Sequence, residues 1–321
     1  MNYYVGVDLG GTNIAAGIVM ADGTLVHKDS VPTQSGKGYQ SVIADMAALC
    51  GKVITESGVD PACVKGIGIG SPGLCDDVNG TIAASYNLQF GETVPIRALI
   101  QEKIDLPVYL DNDANCAALG ESVAGAAKGS GLSVTVTLGT GVGGGIVMDG
   151  KVVNGAFGGG GEIGHISLIY GGALCTCGRH GCWEAYASAT ALIRQAATAM
   201  IYHPESQLTA RARSDISRVT GKLVFDAADA GDETARAVVA QYLRYVAAGL
   251  VNLINALQPD TIVLGGGISA QGDRILKPIT ETVAQEVFGG VLQTKLVIAT
   301  LGNDAGIVGA ALLAAGGKHG N

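Results

Sequence analysis

The chain has 321 residues, a length suited to two domains of ordinary size. Its net charge of −8 excludes the basic field that draws in nucleic acid or an anionic membrane. Glycine is abundant at 50 residues, but it has no three-residue period and only 8 prolines accompany it, so collagen and Pro-rich disorder are excluded, while 48% hydrophobic residues suffice for a sizeable core.

In chain order, β-type runs at 3–7 and 15–20 flank a Gly-rich turn, and 25–31 is a third strand. A helix is predicted over 41–56, a strand over 65–70 and a helix over 94–103. A strand over 107–110 runs into Asp111-Asn112-Asp113-Ala114-Asn115, with helical character over 117–123. The pattern then restarts, with strands at 132–138 and 145–148 around a second Gly-rich turn. Helices follow at 189–202, 204–213 and 233–257, then a short buried strand at 261–264 leading into Gly265-Gly266-Gly267. A helix over 273–288, a strand over 295–300 and a helix over 305–315 complete the chain.

Residues 129–148 carry no charged side chain and are long enough to span a bilayer. Seven glycines and five Ser/Thr in that window identify it as a buried hairpin. The N-terminus lacks the basic region of a secretory signal, and Asp8 interrupts its apolar stretch. Together with an odd count of seven cysteines, this points to a reducing cytoplasm, with a metal favoured over a disulfide network.

One internal echo stands out. Val7-Asp8-Leu9-Gly10-Gly11-Thr12 closes with Gly17-Ile18-Val19, and Val136-Thr137-Leu138-Gly139-Thr140-Gly141 closes with Gly145-Ile146-Val147, about 130 residues later. Two related α/β halves, each opening with a strand–Gly turn–strand, are the inference. Such turns present backbone N–H groups to phosphate oxygens. Two of them, with residues 265–267 as a third glycine turn, suit a nucleotide polyphosphate. No P-loop is present, and neither Gly-x-Gly-x-x-Gly match (68–73, 139–144) opens a helix as a dinucleotide fingerprint requires.

Cys175, Cys177 and Cys182 form C-x-C-x4-C, three thiolates that need one more ligand for tetrahedral zinc. His180 lies on a short tether inside the loop, whereas His165, ten residues upstream of Cys175, can fold back to it. Cys50, Cys63, Cys75 and Cys116 are read as small core hydrophobes. If zinc ties His165 to Cys182, then Glu162 and Glu184 come near each other, and acceptor-only carboxylates suit a polyhydroxylated ligand. Asp113 stands at a strand-to-helix junction, where capping would depress its pKa. Asp8, two residues before Gly10, is placed to reach a magnesium ion on the phosphates.

The Gly10-Gly11-Thr12 turn, Asn112-Asp113-Ala114-Asn115, Glu162-Ile163-Gly164-His165 and Cys175-x-Cys177-Gly178-x-x-Gly181-Cys182-x-Glu184 together resemble the ROK family of sugar kinases and repressors. The resemblance runs from residue 3 to about 315. It implies an actin-like, ribonuclease H-like α/β fold of two domains around a cleft. The smaller N-terminal domain would take residues 1–115 plus a C-terminal helix at 304–321, and the larger domain, with the zinc loop, residues 116–303. It implies ATP-dependent phosphorylation of glucose at the 6-hydroxyl, or of another hexose such as N-acetylglucosamine, N-acetylmannosamine, fructose or allose. A sugar-sensing repressor is the other class in the family, but the first core strand at Tyr3 leaves no room for its helix-turn-helix.

The site residues implied by the resemblance are Asn112, Asp113, Glu162, His165 and Glu184 for the hexose, with Asp113 as base and His165 serving both zinc and sugar. Asn87 and residues 71–73, Gly73 among them, form the rim. ATP phosphates would lie near Asp8, Gly10, Gly11, Thr12, Thr140 and Gly141, and adenosine near Gly266 and Gly267. Many members carry Lys where this chain has Asn13. The implied cofactors are ATP, Mg2+ and structural Zn2+, and the implied partners are a hexose and a second copy in a homodimer, with no nucleic acid and no membrane.

Overall fold

The computed structural model describes residues 1–83, 85 and 88–316, so Asn87, expected at the rim, lies outside the described residues. The first sheet has the order β3-β2-β1-β4-β7, from β1 (Tyr3–Leu9), β2 (Asn13–Met20), β3 (Leu25–Pro32), β4 (Val64–Ser71) and β7 (Val108–Asn112). β1–β2 and β2–β3 are antiparallel, whereas β1–β4 and β4–β7 are parallel. Burial explains the sequence patterns. Central β4 is buried at every position but one and reads as a near-continuous apolar run, while edge strand β3 alternates half-buried and exposed positions.

α1 (Tyr39–Glu56) and α2 (Ile96–Gln101) share one core with this sheet; Val42, Ile43, Met46, Leu49, Cys50 and Val53 form the buried stripe of α1. α3 (Asp113–Val123) and α10 (Ala305–Gly316) form a second cluster with Tyr4 and Val19 of β1 and β2. Here the glycine content has a mechanical use. A Cβ on Gly6 would fall 1.9 Å from the Ile307 carbonyl oxygen, one on Gly68 1.7 Å from that of Ala310, and one on Gly309 1.6 Å from that of Cys116. Glycine therefore lets α10 lie directly on β1, β4 and α3.

The second sheet has the order β10-β9-β8-β11-β12, from β8 (Leu132–Leu138), β9 (Val142–Met148), β10 (Lys151–Val152), β11 (Thr261–Gly265) and β12 (Lys295–Ile298). Taken in chain order, this is the same arrangement as the first sheet: three successive strands side by side, then two later ones added beside the first of the three. The echo between residues 7–19 and 136–147 is thus an echo of topology. α8 (Glu233–Leu257) is capped by Asp232, whose side chain accepts the Ala235 N–H, and it ends at Gln258 in the left-handed region just before Pro259. By length and composition α8 could cross a membrane, but 61% of its apolar window is buried. It packs with α4 (Glu184–Ala187), α5 (Ala189–Tyr202), α7 (Gly221–Asp229) and α9 (Asp273–Glu286). Trp183, the only tryptophan, is fully buried, and its Nε1–H donates to the Tyr245 carbonyl at 2.8 Å.

Two compact units emerge: residues 1–135, 145–161 and 299–321, and residues 136–144 with 162–298. This differs from the expected boundary at residue 115, and the N-terminal unit is the larger. Long-range bonding is the reason. Buried Glu121 on α3 accepts backbone N–H groups of Ala126 (2.8 Å), Thr300 (3.2 Å) and Leu301 (2.8 Å), joining α3 to the chain that enters α10. Local differences are smaller. The turn expected after Gly73 is a hairpin of β5 (Leu74–Asp76) and β6 (Thr81–Ala83), and the helix expected over 204–213 is confined to α6 (Gln207–Arg211). α7 was not expected, although Thr220 accepting the Leu223 N–H is an ordinary N-cap signal.

Candidate active site

β7 delivers Asn112 and Asp113 to the start of α3. The cap is Asn112, not Asp113: Asn112 Oδ1 accepts the Ala114 N–H at 2.9 Å, and Asp113 is the first helical residue. Asp113 Oδ1 accepts the same N–H at 2.8 Å. The expected depression of the Asp113 pKa is not found. Burial pushes the carboxyl up, and the backbone bonds to Ala114 and Asp113 only partly offset it. Asp8, at the end of β1, is pushed up to about 6, first by burial and then by the Asp113 charge, so these two carboxyls share one electrostatic environment. A Cβ on Gly306 would lie 2.7 Å from Asp8 Oδ2, so the start of α10 abuts this carboxyl.

Sequence reasoning assigned no role to the residues behind this junction. Asp111 is buried; its Oδ1 accepts from the Asn112 N–H (2.7 Å) and Asn115 Nδ2 (2.8 Å), and its Oδ2 from Asn154 Nδ2 (2.9 Å). Asn115 Nδ2 also donates to Asn154 Oδ1 at 3.1 Å. Asp111 and Asn115 were visible as polar residues in an apolar stretch, but nothing local signals Asn154.

The β1–β2 turn leaves Gly11 and Thr12 exposed, with the Gly10 N–H donating to the Asn13 carbonyl at 2.9 Å and Thr33 Oγ1 donating to the Gly10 carbonyl at 2.7 Å. In the second unit, the Gly139 N–H donates to the Gly141 carbonyl at 3.0 Å, and Thr190 Oγ1 holds the carbonyl of exposed Thr140 at 2.8 Å. Gly266 has φ +80°, and a Cβ there would strike the Leu138 backbone at 2.7 Å. Gly266 and Gly267 are thereby brought beside the turn that begins after Leu138. Gly73 has φ +103° and packs against the Ala83 carbonyl and Ser85.

The cysteine loop forms as the spacing suggested. One ligand atom each from His165, Cys175, Cys177 and Cys182 lies within 4.8 Å of every other. Cys177 Sγ is 3.7 Å from Cys182 Sγ, and Cys175 Sγ is 3.6 Å from His165 Nδ1. A tetrahedron with ordinary Zn–S and Zn–N bonds has edges of about 3.8 and about 3.5 Å, so this donor set fits zinc. His180 is elsewhere, its Nδ1 3.0 Å from the Gly172 carbonyl.

Glu184 has a role that spacing did not reveal. Oε2 accepts the Val142 N–H at 3.0 Å, while Oε1 accepts from Thr176 Oγ1 at 2.7 Å and lies 3.4 Å from Cys175 Sγ. Exposed Glu162 opens the 3-10 turn Ile163–His165, and its side chain makes no capping bond there. A Cβ on Gly164 would lie 2.0 Å from the Val142 carbonyl oxygen. Val142 is therefore where the glycine turn, the His165 turn and Glu184 meet.

Residues 4–316 match the ROK family. The chain belongs to that family. It is 41% identical over 309 residues to a glucokinase of Halalkalibacterium halodurans, covering 96% of this chain and 93% of the relative. Among solved structures it resembles a ROK glucokinase from Streptomyces griseus in complex with glucose and AMPPNP (34% identity, TM-score 0.82, 98% of this chain and 100% of the other). It also resembles a ROK hexokinase from Thermus thermophilus (37% identity, TM-score 0.83, 97% of each chain). This ROK chain, with its two sheets of the same strand order, has the two-domain actin-like fold of the sugar kinases.

Proposed function

We propose that this chain transfers the γ-phosphoryl group of ATP to the 6-hydroxyl of glucose, giving glucose 6-phosphate and ADP. The single observation that carries the reading is likeness over nearly the whole chain to glucokinases, at 41% identity in one case. The chemistry of the β7–α3 junction supports it.

In this reading Asp113 is the base. Its Oδ1 is occupied by the Ala114 N–H, which fixes the carboxylate plane and leaves Oδ2 for the 6-hydroxyl proton. As O6 bonds to the γ-phosphorus, the bond from that phosphorus to the β-bridging oxygen breaks, ADP leaves, and the hydroxyl proton passes to Asp113. The transition state of phosphoryl transfer is loose, so alignment and charge stabilisation outweigh proton abstraction. A carboxyl raised by burial is nonetheless a better base than an exposed one. Asn112, Glu162, His165 and Glu184 take sugar hydroxyls, with Gly73 on the rim. Glu184 has spare acceptor capacity because each carboxylate oxygen has two lone-pair sites.

The backbone N–H groups at Gly11, Thr12, Thr140 and Gly141 suit phosphate oxygens, with Gly10 shaping the first turn through its own N–H bond to Asn13, and Gly266 and Gly267 suit the nucleoside. Asp8 would hold Mg2+, whose charge offsets that of the phosphates. His165, Cys175, Cys177 and Cys182 would hold a structural zinc that fixes the loop carrying Glu184. The enzyme works in the cytoplasm as a homodimer, acts on glucose before other hexoses, and uses neither nucleic acid nor a membrane. A coupled ADP-release assay over glucose, N-acetylglucosamine, N-acetylmannosamine, fructose and allose tests the reading. Glucose should give the highest kcat/KM, and turnover of an N-acetylhexosamine in its place would overturn the assignment.

A further inference from the structure

Behind the catalytic junction lies a polar cluster of Asp111, Asn115 and Asn154. Its members come from distant places: Asp111 is the penultimate residue of β7, Asn115 lies in the first turn of α3, and Asn154 is 43 residues beyond Asp111, in the Gly-rich segment after β10. Asp111 and Asn115 are almost fully buried, and Asp111 accepts three hydrogen bonds of 2.7–2.9 Å. One of those bonds comes from the backbone of Asn112, the neighbour of the base.

Asn154 works in two directions. Its side chain holds Asp111 and receives Asn115, while its backbone carbonyl accepts the Gly160 N–H at 2.9 Å. That backbone bond closes the neck of the segment 154–160, after which Gly161 leads into Glu162. The loop itself is exposed, Phe157 fully so, and glycine-rich. A loop of this composition has little local stiffness. Its position is fixed at the neck.

We propose that Asp111 and Asn154 form a positioning clasp that aligns Asn112 and Asp113 and pins the neck of the 154–160 loop. Neither residue touches substrate; both act through the groups they hold. The inference rests on Asp113 being the base, and it makes the donor–acceptor pattern, rather than the charge at residue 111, the feature that matters.

Exchanging the two residues tests this. Asp111→Asn alone sets one amide against another, and Asn154→Asp alone sets carboxylate against carboxylate. The double exchange restores each bond: residue 111 still accepts from Asn112 and Asn115 and now donates to residue 154, which still accepts from Asn115. With Asp113 sensitive to displacements of about 1 Å, each single variant should lose roughly 10- to 100-fold in kcat, with KM for ATP little changed. The double variant should recover to within about fivefold of wild type, a rescue expected for a pair that acts as a unit.

Chymotrypsin nicking after Phe157 is a readout independent of activity. The single variants should be cut several-fold faster than wild type, and the double variant at close to the wild-type rate. Should Asp111→Asn fail to fold, Asn154→Ala compared with the double exchange decides the same question. Single variants that nick and turn over like wild type, or a folded double exchange as impaired as the singles, would overturn the clasp. A wild-type protein that phosphorylates no hexose would instead overturn the kinase reading, leaving the nicking rates to decide the clasp.

Discussion

Glu184 and Val142 are 42 residues apart in sequence, yet Glu184 Oε2 accepts the Val142 backbone N–H at 3.0 Å. The other carboxylate oxygen accepts from Thr176 inside the cysteine loop. One side chain thus ties the tip of the second glycine turn to the loop that would hold zinc. Glu184→Ala removes bonds to a charged acceptor, each worth roughly 1.5–3 kcal/mol. We expect kcat/KM to fall about 10- to 100-fold for ATP as well as for glucose, measured by varying each substrate in turn. A loss confined to glucose would reduce Glu184 to a sugar ligand.

Asp113→Asn should lower kcat by on the order of 10²–10⁴ with little change in glucose affinity, because acid–base assistance is lost while the side-chain shape remains. The pH profile carries a second expectation. A base works when deprotonated, and burial raises this carboxyl above its ordinary value of 3.8. Activity should therefore fall, as pH drops, earlier than for an exposed carboxylate. The Asn variant should lose that limb, as steady-state rates between pH 4.5 and 8 will read.

Asp8 gives a prediction of opposite sign for stability. Its folded pKa of about 6 lies above the ordinary 3.8, so the folded chain holds this proton more tightly than the unfolded one. Stability falls as pH rises from about 4 to about 6, and above that the full penalty, on the order of 3 kcal/mol, is present. Asp8→Asn should raise the melting temperature at pH 7.5 without ligands while abolishing most activity. An unchanged or lower melting temperature would contradict this account of the carboxyl.

Elemental analysis should find one zinc per chain, and Cys177→Ser should lower both zinc retention and glucose affinity. The sulfur replaced would be one corner of the tetrahedron that the 3.7 Å Cys177–Cys182 separation outlines. A protein freed of metal by a chelator that binds glucose as before would remove zinc from its supporting role.

What the sequence disclosed follows from range. The β1–β2 turn, the helix start after Asn112 and the cysteine cluster depend on neighbours within ten residues or so, and spacing alone conveys them. His165 was within reach because it lies only ten residues before Cys175. The contacts of Glu121 with Thr300 and Leu301, which shift the unit boundary, join residues about 180 apart and leave no local trace. Asn154 sits in a glycine-rich loop that looks featureless, and its importance appears only beside Asp111. The Asp113 pKa failed for a related reason: the cap was a local property, the burial a global one.

Trp183 lies between Cys182 and Glu184 in sequence, wholly enclosed, with its ring against Gly249 of α8. As the chain's sole indole, it makes ultraviolet emission a single-point gauge. Its colour and brightness belong to the junction between the thiolate loop and the long helix, and to nowhere else. Sugar capture and loosening of that junction, and loss of the zinc proposed there, would each be followed on the native chain, with no dye attached.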